Sequence, residues 1–155
     1  MSKFDSHQRP SWRNRAWRYG PLLLWLAVIF YASTGAFSAA NTSRIIGPLL
    51  RYLFPAITDA QLATAHFITR KLAHFTEYAL LALLAARAFL PSTNALLRRR
   101  WFWCALLLVA TYALLDEYHQ SFVPTRTPSI YDSMIDTAGG ATALVLIAWR
   151  RRRRG

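Results

Sequence analysis

Four stretches of the chain are apolar over most of a membrane-crossing length. A spanning helix needs about 20 mostly apolar residues, because roughly 30 Å of hydrocarbon must be crossed at 1.5 Å per residue. The windows run from about Pro21 to Ala39, from Leu72 to Leu90, from Trp101 to about Gln120, and from about Ile130 to Trp149. The first has no charged residue. The others carry such groups near an end, the pattern expected where helices enclose a polar site. The reading is therefore all-α: a polytopic membrane protein built as a four-transmembrane-helix bundle. Between the first two windows, Ile45, Ile46, Leu49, Leu50, Leu53 and Phe54 recur at helical spacing, with Arg44 and Arg51 among them. That predicts a short interfacial helix in the first outer loop, ended by Pro55. Thr58 and Gln61 have the form of a capping box, so a helix should begin at Asp59 and run into the second span. Its first turns must then stand outside the hydrocarbon.

Composition sharpens this picture through where the charge lies. The chain has 155 residues, 54% of them hydrophobic and 14% aromatic, with Lys and Arg outnumbering Asp and Glu 19 to 7. Mean hydropathy is still only +0.18, because the positives cluster at the ends and in loops. The aromatic content excludes a disordered basic tail. Cys104 is the one cysteine, which excludes an intramolecular disulfide and any cysteine-built metal site. Lys and Arg are retained on the cytoplasmic side. Fourteen of the 19 fall on one side of the predicted bundle: Lys3 to Arg18, Arg87, Arg98 to Arg100 and Arg150 to Arg154. Arg44, Arg51, Arg70, Lys71 and Arg126 fall on the other. Both termini should be cytoplasmic, with a basic segment over 1–20, a membrane domain over 21–149 and a basic tail over 150–155. The terminal arginines suit anionic headgroups. They do not suit nucleic acid, because nothing beside them offers a stacking or groove-reading surface. The first span also has the shape of a signal peptide, with Leu22 to Phe30 as its core and small residues Ala36 and Ser38 near a cleavage position. Cleavage would change the helix count and leave the sidedness intact.

The polar residues inside the spans carry the candidate chemistry. At 100° per residue, Lys71, His74 and Tyr78 share about 60° of arc on the second span, with Glu77 about 60° beyond. On the third span, Tyr112, Asp116, His119 and Gln120 project within about 80°, while Glu117 points about 100° from Asp116. Asp132 and Asp136 lie at i and i+4 on the fourth, on a side continued by Gly139, Gly140 and Ala143. Small residues let helix backbones approach closely. With the sidedness above, all three sets meet in the outer half of the bundle, with Arg126 above them. Each charge there costs on the order of 2.5 to 3.5 kcal/mol unless paired or watered. A plain salt-bridge lock would have Lys71 and Arg126 neutralise Asp116, Glu117, Asp132 and Asp136. Two histidines and five carboxylates exceed what two cations can neutralise. His7 and His66 read as solvated and interfacial.

Taken together, Lys71-x-x-His74-x-x-Glu77-Tyr78, then Asp116-Glu117-x-His119-Gln120, Pro124-x-Arg126, and Asp132 and Asp136 with Gly139 resemble the signature of the VanZ-like family of small integral membrane proteins. The resemblance runs from about Arg70 to Gly140. The family's namesake is associated with resistance to the glycopeptide teicoplanin, so the resemblance implies a bacterial inner-membrane protein linked to the cell envelope. Where such proteins often place glycine before the arginine, this chain has Thr125.

Three kinds of chemistry fit the set. As a binding module, an outward-facing pocket with Lys71 and Arg126 at its rim, and with Tyr78, Gln120 and Asp132 as further contacts, would hold an anionic envelope lipid or a glycopeptide-related ligand. Transport by so few spans would call for a homodimer. As an enzyme acting on an envelope precursor, His74, Glu77, Asp116, Glu117, His119 and Asp136 are the candidate catalytic groups. His74, Glu77, Glu117 and His119 would then hold a divalent metal, zinc or manganese, and activate water on a phosphate or peptide-like ester. Without metal, His119 oriented by Asp116 would serve as general base. The third reading is structural: the polar set locks helices together and the protein is a membrane partner.

Overall fold

The structure, a computed structural model, describes residues 12–34, 39–124, 126 and 128–154. Six helices follow one another: α1 (Trp12–Ala32), α2 (Ala39–Leu53), α3 (Asp59–Phe89), α4 (Ala95–Arg99), α5 (Trp101–Gln120) and α6 (Ile130–Arg152). No strand occurs among the described residues, as expected of an all-α chain. Two helices, α3 and α5, are long and apolar enough to cross a membrane. The first apolar window does not coincide with its helix. α1 starts at Trp12 and stops at Ala32, with Pro21 inside it. Arg13, Arg15 and Arg18 therefore lie within the helix rather than in a preceding coil. Hydropathy marks the apolar part of a helix, not its ends, and the arginines are good helix formers. His7, Ala36, Ser38 and Thr125 lie outside the described residues.

α2 already includes the residues from Ala39 ahead of its first periodic isoleucine, Ile45, and stops two residues before Pro55, in keeping with the bar on helical geometry just before proline. It leaves Leu49, Tyr52 and Leu53 exposed. α3 starts where its capping box predicts. The Gln61 amide N–H donates to Thr58 Oγ1 at 3.3 Å, and the Thr58 N–H donates to Gln61 Oε1 at 2.9 Å. Thr58→Ala should lower stability by about 1 kcal/mol, read as a fall in thermal midpoint and earlier protease cleavage between α2 and α3. The one-turn α4 was not expected; Asn94 Oδ1 caps it by accepting from Leu96 N and Leu97 N.

α6 packs along both α3 and α5, and α1 leans on α3. Close approach comes from residues that lack bulk. A Cβ on Gly139 would stand 2.2 Å from the Phe75 carbonyl oxygen of α3, and one on Gly140 would stand 2.6 Å from Val109 Cγ1 of α5. Ala82, Ala85 and Ala86 of α3 are likewise buried, around Tyr78, Leu81 and Leu144. Polar ties hold α1 in place: Trp25 Nε1 donates to the Glu77 carbonyl at 3.0 Å, and Tyr112 Oη donates to the Leu26 carbonyl at 2.6 Å. The outward faces keep large apolar side chains exposed, among them Leu24, Phe30, Leu72, Leu107 and Leu115.

Neighbouring long helices alternate in direction. Tyr19 of α1 meets Ser92 beyond the end of α3, whereas Ser33 meets His119 at the end of α5. Arg13 to Arg18, Arg87, Arg98 to Arg100 and Arg150 to Arg154 consequently share one end of the bundle. The opposite end holds the start of α6, the end of α5 and the middle of α3, where Lys71 meets Asp132. Asp59 to Arg70 project past that level.

Candidate functional site

The polar end is assembled from three helices whose stripes face one another. On α3, Lys71 Nζ pairs with Asp132 Oδ1 of α6, and Arg70 Nη2 approaches the other carboxylate oxygen at 3.6 Å. Asp132 is buried, while both cations remain partly accessible. One turn deeper, His74 Nδ1 lies 3.2 Å from Asp136 Oδ1. Their alignment is that of a charge contact rather than a directed hydrogen bond, and both Asp136 oxygens lack a donor. Asp116 of α5 completes the group. Its Oδ2 accepts from Gln120 Nε2, one turn along the same helix, at 2.9 Å. Ligand-capable atoms of His74, Asp116 and Asp136 all lie within 4.8 Å of one another. Gly139, one turn beyond Asp136, presses α6 against the backbone of Phe75, the neighbour of His74. That contact sets the spacing of the histidine and the aspartate.

Other predicted residues go elsewhere. Among the described residues, the metal set expected from sequence is not the one that converges: His74 is common to both, but Glu77, Glu117 and His119 are absent from the close cluster. His119 faces α1, where its Nδ1 lies 3.3 Å from Ser33 Oγ and its ring stacks on Phe30 at 4.5 Å. Gln120, not His119, is the group bonded to Asp116. Glu117 Oε2 accepts the Ser129 N–H at 2.7 Å, tying the end of α5 to the start of α6. Tyr78 is fully buried beneath His74, with its hydroxyl 3.5 Å from the Tyr112 carbonyl. Lys71 is committed to Asp132 and also lies over the Phe67 ring at 5.1 Å.

Arg126 is anchored rather than free at a rim. Its Nη2 donates to the carbonyls of Ala32 at 2.5 Å and Thr34 at 3.1 Å, clamping the end of α1. Its Nε is buried without a partner. Burial lowers the guanidinium pKa from its ordinary value, and the nearby positive charge of Arg70 lowers it further. Arg70 also buries Nε and Nη2 without hydrogen-bond partners. Sequence reasoning missed Arg70, treating it as a flank. The available signal was its position one residue before Lys71, at the edge of the polar stripe.

A groove of about 560 Å³ runs between α1 and α3, lined by Trp25, Thr69, Leu72, Ala73, Thr76, Glu77 and Leu80. Glu77 is the single ionisable group in that lining, and the groove reaches Thr69, the residue before Arg70. A family model described as VanZ/LLP1 matches residues 19–151, a stretch that includes every helix except the first turns of α1 and the last residue of α6. No curated protein and no solved structure matches the chain.

Proposed function

Because the chain belongs to the VanZ/LLP1 family over residues 19–151, we propose that it is a protein of the bacterial cytoplasmic membrane that captures an anionic envelope lipid at the outer end of the bundle, through Arg70 and Arg126, and contributes to teicoplanin resistance. The observation that carries this reading is the Arg70–Arg126 pair. Both guanidiniums keep buried N–H donors without a hydrogen-bond partner, Nε and Nη2 on Arg70 and Nε on Arg126. A phosphate within reach of these donors would accept from them, and charge-assisted bonds of this kind are the strong ones. The apolar groove ending at Thr69 suits an acyl chain on the same ligand.

Under this reading α1 and α6 cross the membrane beside α3 and α5, giving four spans. A 21-residue α1 and a 23-residue α6 are each about 30 Å or more long, enough for the hydrocarbon. The arginine-rich end is cytoplasmic by the basic-residue rule, so residues 1–20 and 150–155 flank the membrane domain on the inside and Arg126 faces outward. α2, with its exposed Leu49, Tyr52 and Leu53, lies on the outer interface.

The test uses Cys104→Ser protein carrying Pro128→Cys or Arg154→Cys. A membrane-impermeant maleimide should label the first in intact cells and the second only after permeabilisation. Detergent-purified protein should retain phosphatidylglycerol, and Arg70→Gln with Arg126→Gln should lower that retention at least tenfold while removing any protection against teicoplanin. Two charge-assisted bonds, each about 1.5 to 3 kcal/mol, are the source of that loss. Equal lipid retention by the double variant would reject the reading.

A further inference from the structure

We infer that His74, Asp116 and Asp136 form a binding site for one divalent first-row cation, distinct from the arginine pair and independent of the lipid reading. Asp136 is 0% exposed and neither of its oxygens accepts a directed hydrogen bond; its one ion-pair contact is with His74 Nδ1 at 3.2 Å. A carboxylate sealed away from water in that state carries a desolvation cost that only a proton or a cation can offset. The cations nearby are already engaged. Lys71 and Arg70 serve Asp132, and the terminal Nη2 of Arg126 is held by the Ala32 and Thr34 carbonyls. Among the described residues, no Lys or Arg lies within ion-pair distance of Asp116 or Asp136. Two carboxylates and one imidazole therefore face each other with a charge deficit that a dication would cancel.

The donors suit such an ion. A mixed nitrogen and oxygen set falls between the preferences of zinc and manganese. Ligand atoms now within 4.8 Å would close to roughly 3.4 Å around a tetrahedral ion with bonds near 2.1 Å, a movement within reach of side-chain rotation. Gln120 holds one Asp116 oxygen at 2.9 Å, the kind of outer contact that orients a metal-binding carboxylate. Ser133 and Tyr78, both buried, lie on the same inward faces of α6 and α3. Three protein ligands leave a coordination position open.

The full-length chain, purified in detergent and stripped with chelator, is exchanged into Mn²⁺ or Zn²⁺ alone, washed, and analysed for bound metal. About one ion per chain is expected in at least one arm, and the arm that fills identifies the ion. Asp136→Asn should weaken binding at least tenfold. His74→Cys should shift preference toward Zn²⁺ over Mn²⁺ by at least tenfold, because thiolate is the softer ligand; a histidine that merely packs would show no such shift. If Asp136→Asn fails to fold, the wild-type occupancy and the His74→Cys preference decide. Monodisperse, helical wild-type protein holding under roughly one ion per ten chains in both arms overturns the inference, as does Asp136→Asn binding like wild type. Neither result touches phosphatidylglycerol retention through Arg70 and Arg126, so the two readings fail separately.

Discussion

A single methyl group at Gly139 should cost this protein a large share of its stability. In Gly139→Ala the new Cβ would meet the Phe75 carbonyl oxygen at 2.2 Å, its carbon at 2.9 Å and its Cα at 3.0 Å. All three are backbone atoms of α3, so no rotamer change relieves the overlap and the two helices must separate. Overpacking typically costs about 1 to 3 kcal/mol, and rigid backbone on the far side pushes toward the top of that range. Against a total stability of about 5 to 15 kcal/mol, the loss is large. Unfolding in mixed micelles should show it as a clear fall in the denaturing midpoint. Gly140→Ala provides the contrast. Its obstruction is the Val109 side chain at 2.6 Å, so Val109→Ala should rescue Gly140→Ala and leave Gly139→Ala unrescued. Gly20→Ala, with nothing within 4 Å, should be neutral or slightly stabilising, since alanine is the better helix former. Equal stability of Gly139→Ala and wild type would mean that α3 and α6 are not in backbone contact there.

The second large effect is asymmetric. Lys71→Met removes the closer cation from a buried carboxylate, whereas Asp132→Asn frees two cations whose side chains are 22% and 29% exposed. Breaking a buried pair by stranding the charge costs about 3 to 5 kcal/mol. Arg70, at 3.6 Å from the second oxygen, should move in and hold Lys71→Met near the lower end. Asp132→Asn should cost distinctly less, because long basic side chains can carry their charge to the interface. Combining Lys71→Met with Asp132→Leu should recover most of the loss, since two apolar groups replace the pair. The same denaturation assay reads all three; an Asp132→Asn loss equal to that of Lys71→Met would show that Asp132 is not sealed from water.

Much of the fold was legible along the chain because its signals are local. The capping box at Thr58 and Gln61 located the start of α3, and the arginine runs separated the two ends of the bundle. Helical spacing put Lys71, His74 and Tyr78 on one face, and their pairings with α6 and α5 place that face inward. Other features escaped. The helical state of Trp12 to Gly20 is hidden by arginines that a hydropathy window counts against a helix. The roles of Arg70 and His119 also escaped, because a helical wheel gives a side chain's direction about its own axis and says nothing of which helix stands opposite.

The order of the long helices, the polar stripes and the charge asymmetry are consequences of short-range periodicity and composition, and they could be written down from residues 1–155. Which acidic group meets which base could not. That choice turns on where α6 settles on α3 and α5, and it is made by contacts between residues far apart in the chain, above all Gly139 on Phe75 and Gly140 on Val109. Close packing at these two points leaves few registers open, and the register found seats Asp136 beside His74 while turning His119 toward α1.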